Sequence, residues 1–64
     1  MTRFEVGMYS ATVLGRDNMP LFKRVYYVTK DGEADAWARR DAESARVHAD
    51  DIVSVQVAKF DGKW

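Results

Sequence analysis

Cysteine is absent from this chain, which excludes disulfides, a thiolate nucleophile and any cysteine-ligated metal. One histidine is too few nitrogen ligands for a protein-only zinc site in a single chain, and no metal or cofactor is expected. No apolar run approaches the roughly 20 residues needed to cross a bilayer, and MTRFEVGMYS at the N-terminus lacks a signal peptide's apolar core, so a cytosolic protein is expected. Net charge is also missing. Ten basic and ten acidic residues cancel, which removes any general pull toward nucleic acid or membrane. Gly7, Gly15, Gly32 and Gly62 are scattered at breaks and form no phosphate-binding loop.

The hydrophobic fraction of 47% beside 31% charged residues describes an ordered globular domain and argues against disorder. A chain of 64 residues has room for one small core, which leaves a margin of roughly 3–5 kcal/mol once chain entropy is counted. Without staples, such chains often gain stability by self-association. The charges are unevenly placed: residues 1–30 carry Arg3, Arg16, Lys23, Arg24 and Lys30 against Glu5 and Asp17, while the remainder carries eight acids and five bases.

Periodicity organises the chain into four elements. RFEVGMYSATVL alternates, with Phe4, Val6 and Met8 on one face, and past Tyr9 the apolar phase moves toward Ala11 and Val13, for which a bulge at Gly7 offers a route. GRDNMP is a run of turn formers and predicts a hairpin loop. LFKRVYYVTK is rich in β-branched and aromatic residues on both faces. Next, DGEADAWARRDAESARVHADD carries alanines at 34, 38, 42, 45 and 49, a small-residue stripe at helical spacing, with Asp31 as the expected cap and Val47 or Ala49 as the expected end. IVSVQVAKF alternates cleanly, with Val53, Val55 and Val57 together on one face.

These readings predict one α+β domain over residues 1–64, of order ββαβ, with strands at about 3–14, 21–30 and 52–60 and a helix at about 32–48. The strands flanking the helix run parallel to each other, and right-handed crossovers dominate, so the first strand should lie between them in an antiparallel sheet ordered 2-1-3. The alanine stripe should seal one sheet face against Phe4, Val6, Met8, Val53, Val55 and Val57. The other face is then left uncovered, and Tyr9, Tyr26 and Tyr27 on it, with Trp64 as a further aromatic anchor, are the candidate interface residues. In size and element order the layout is similar to many small single-domain accessory proteins of bacteria and their phages, a likeness that covers no motif and transfers no residue.

Three constellations bear on chemistry. Arg16, Lys23, Arg24 and Lys30 interleave with Phe22, Tyr26 and Tyr27, the mixture of cations and rings that holds single-stranded nucleic acid. The same cations also serve to keep strand edges soluble. Trp37, Asp41, Ser44 and His48 share one edge of the predicted helix and include the residue types of a hydrolytic triad, but three side chains on one regular helix do not converge as that chemistry requires. Asp31, Glu33 and Asp35 fall at helical spacing, which suits capping better than a calcium loop. The expectation is a non-enzymatic protein that binds or regulates another protein as a homodimer, with nucleic-acid binding through the basic hairpin as the alternative.

Overall fold

A computed structural model describes residues 4–62, in which β1 (Gly7–Leu14), β2 (Pro20–Val28), α1 (Glu33–Ser44) and β3 (Ser54–Lys59) follow in the expected order. The three strands form one antiparallel sheet ordered β2-β1-β3, with α1 packed on one face. β1 sits at the centre, pairing Tyr9 with Tyr26 and Val13 with Phe22 on one side, and Ala11 with Val57 and Val13 with Val55 on the other.

The β1–β2 connection is a tight reversal. Asp17 (φ 59, ψ 32) and Asn18 (φ 59) are both left-handed, and the Met19 amide donates to the Arg16 carbonyl at 3.1 Å, which makes Arg16–Met19 a type I′ turn. Asp and Asn tolerate this geometry better than other non-glycine residues. Gly15 precedes the turn at a close approach: a Cβ there would meet Leu21 Cδ1 at 2.8 Å and the Asp51 carbonyl oxygen at 3.2 Å, so the Leu21 side chain would have to turn aside.

At its start α1 differs from expectation. Asp31 makes no capping bond; the N-cap is Gly32, whose φ of 90° explains why glycine stands there. The carboxylate of Glu33 reaches back instead, accepting from the Thr29 amide (3.2 Å), the Thr29 hydroxyl (3.2 Å) and the Lys30 amide (3.0 Å). Its negative charge also lies in the first turn, where the helix dipole favours it. Asp35 joins Arg39 one turn on, at 2.7 Å.

The helix is shorter than the alanine stripe. It stops at Ser44, where the Val47 amide donates to Ala42 O (2.9 Å) and the Arg46 amide to Glu43 O (3.0 Å), with Arg46 left-handed at φ 71°. These two bonds are those of a Schellman motif, and Val47 folds back to pack against the core as that motif favours. Ala34, Ala38 and Ala42 are therefore buried, whereas Ala45 and Ala49 are exposed.

Ala11, Val13 and Val28 meet those three alanines, and Phe4, Tyr9, Phe22, Tyr26, Trp37, Val47, Ile52 and Val55 surround the cluster. The phase of β1 thus differs from the expected one. Tyr9, Ala11 and Val13 face the helix, while Val6 and Met8 are 55% and 44% exposed. No bulge occurs at Gly7, which pairs in register with Val28; the register shift lies between Val13 and Leu14. Val53, expected in the core, is 67% exposed just before β3 begins.

Two stability measurements follow. Ala38→Leu should overpack the helix–sheet contact and destabilise by about 1–3 kcal/mol in urea unfolding, while Ala45→Leu stays within about 0.5 kcal/mol; equal effects would contradict the three-alanine seal. Arg46→Gly should stabilise by roughly 0.5–1 kcal/mol by relieving the left-handed conformation, and a loss of stability in the same assay would contradict the motif.

Candidate interaction surface

Alternation along β2 sends its two adjacent tyrosines to opposite sides of the sheet. Tyr26 is on the helix side, tilted at 52° against Trp37 with ring centroids 5.9 Å apart, and its hydroxyl donates to Asp41 Oδ2 at 2.8 Å. Trp37 and Asp41, one turn apart on α1, hold ring and hydroxyl together. Arg24 reaches the same carboxylate at 3.6 Å and lies 5.9 Å from the Tyr26 ring centroid. Burial, then the bond to Asp41 and its negative charge, push the Tyr26 phenol up to about 12.

Tyr9 is also on the helix side, contrary to its expected place on the uncovered face. It stacks on Phe4 at 5.5 Å and donates its hydroxyl to the Glu5 carbonyl at 2.6 Å. Phe4, Tyr9, Val28, Ala34 and Val57 line a cavity of about 350 Å³ beside the start of α1. Glu5 meanwhile pairs with Lys59 of β3, which holds the glutamate below and the lysine above their ordinary pKa values, through the hydrogen bond first and the charge second.

Tyr27 alone of the three tyrosines is on the open face. It is 60% exposed and pairs with Met8, and Phe60 donates its amide to the Met8 carbonyl across the neighbouring ladder. Toward the hairpin the face turns polar, with Ser10 between Val25 and Ala58, then Thr12 between Lys23 and Gln56. Trp64, the fourth candidate, lies outside the described residues.

A second exposed apolar group stands at the hairpin end, where Met19, Leu21 and Val53 rim an opening of about 390 Å³ with Gly15, Arg16, Asp50 and Asp51. Sequence reading gave Met19 to the hairpin loop and Leu21 and Val53 to strands, and it named none of them as surface candidates; the available signal was the apolar pair Met19 and Leu21 around Pro20.

The structure does not gather the basic residues. Arg16 is in the hairpin turn and Lys30 beyond the opposite end of β2, while Lys23 and Arg24 point to opposite faces. Nor does it assemble a triad: Asp41 is engaged by Tyr26 and Arg24, Ser44 closes the helix, and His48 lies beyond the Schellman turn. Among the described residues no three His, Asp or Glu side chains are grouped to hold a metal, and no helix is long and apolar enough to cross a membrane.

The fold and surface thus define a ββαβ α+β unit with one sealed and one open sheet face. Comparison with protein-family models, curated proteins and solved structures finds no match for the chain.

The raised Tyr26 pKa implies a direction with pH. Because it lies above the ordinary value near 10, Tyr26's contribution to stability is fully present below about pH 10 and is lost as pH rises through about 12. Tyr26→Phe should therefore lose less stability than wild type between about pH 10 and pH 12 in denaturant titrations; identical losses would contradict the part-buried phenol–carboxylate bond.

Proposed function

We propose that this is a non-enzymatic, cytosolic interaction module that acts as a homodimer and binds or regulates another protein. The observation that carries this reading is the one-sided seal. α1 covers one face of the sheet, and Met8 and Tyr27 stand paired and exposed on the other.

Charge presents no obstacle to self-association, since copies with no net charge do not repel one another at long range. Nucleic-acid binding is the second reading, and the separation of Arg16, Lys23, Arg24 and Lys30 gives it less support than their proximity in sequence did.

Multi-angle light scattering at tens to hundreds of micromolar should give twice the chain mass. A single-chain mass throughout that range would remove the homodimer. Oligonucleotide titration at low salt separates the alternative, because binding through phosphates would weaken steeply as salt is added.

A further inference from the structure

The geometry points to the free edge of β3 as the surface that receives the second copy, joining two sheets into one of six strands. This inference rests on the homodimer reading and specifies where the dimer closes. The Phe60 amide donates to the Met8 carbonyl, so in the β1–β3 register the residues Ser54, Gln56 and Ala58 direct their main-chain groups toward β1. Val55, Val57 and Lys59 direct theirs away from it, where no further strand lies among the described residues.

The two edges of the sheet differ in protection. β2 begins with Pro20 and carries Lys23 and Arg24, devices that discourage strand pairing. β3 has no proline and a single charge, Lys59, at its last position and already paired with Glu5 of the same chain. Val57 on this edge is 43% exposed, and Val53 just ahead of it more so.

An antiparallel twofold match suits the sequence. Setting Val55 opposite Val57 of the second copy makes two valine pairs, each able to exchange two main-chain hydrogen bonds, with Gln56 beside its own copy on the axis. Both helices then lie on the same face of the joined sheet. A second copy therefore fits the edge by symmetry, which a foreign strand would have to match in sequence.

Two experiments on the full chain test this. Val57→Pro removes an amide that points away from β1, a position where an edge strand tolerates proline, so the fold should persist while association weakens about a hundredfold. Tyr27→Glu, on the open face, should leave the dimer intact. In amide exchange followed by NMR, the Val55 and Val57 amides of the wild type should become protected as concentration rises, and this readout needs no variant. A dimer that survives Val57→Pro, or dissociates with Tyr27→Glu, or leaves both amides exchanging freely, overturns edge pairing while leaving the homodimer standing. A wild-type protein that remains monomeric removes both.

Discussion

Close contact between three helix alanines and the centre of β1 is the constraint on which the rest depends. Ala34, Ala38 and Ala42 meet Ala11, Val13 and Val28, and valine is the largest side chain that is fully buried. Such a core fills the space between layers only if the helix backbone lies near the sheet. Larger side chains have no room there and collect around the perimeter, among them Phe4, Tyr9, Phe22, Tyr26 and Trp37. That position suits rings with polar tips. Tyr9 and Tyr26 bury their bodies and still satisfy their hydroxyls, one on a carbonyl and one on a carboxylate. The molecule is thus sealed by small residues in the middle and large amphipathic ones around the rim.

The element order and the 2-1-3 sheet were legible because runs of turn formers separate segments of different periodicity. Faces were harder to read. Val6 and Met8 alternate as regularly as Tyr9, Ala11 and Val13, and only the helix docking onto the second set decides between them, while Phe4 ahead of the strand joins the core rim as expected. Adjacent Tyr26 and Tyr27 carry no signal for which one turns inward; the deciding partner, Asp41, is remote in sequence. The helix end was missed for a different reason. An arginine occupies the left-handed position where glycine would have announced the stop, so the alanine stripe ran on past the true terminus.

The candidate surface was partly legible. Tyr27 stands where an exposed aromatic was expected, and the existence of an uncovered face followed from counting one helix against three strands. The basic residues illustrate the opposite case, because proximity in sequence along a strand separates neighbours onto opposite faces. Lys23 and Arg24 are adjacent in sequence and cannot serve one flat ligand together, and Arg24 is drawn toward Asp41 on the helix.

Being the centre of the sheet gives β1 two unequal ladders. Its pairing with β2 closes a short reversal, so that Val13 meets Phe22 across few intervening residues, whereas Leu14 meets Ser54 only after β2 and the helix have intervened. The longer closure costs more chain entropy, by about 1 kcal/mol on a logarithmic length dependence. Val55 regains that cost only on reaching the core rim. The hairpin and helix are thereby the locally encoded part of this protein, and β3 is the strand whose placement is conditional on everything before it.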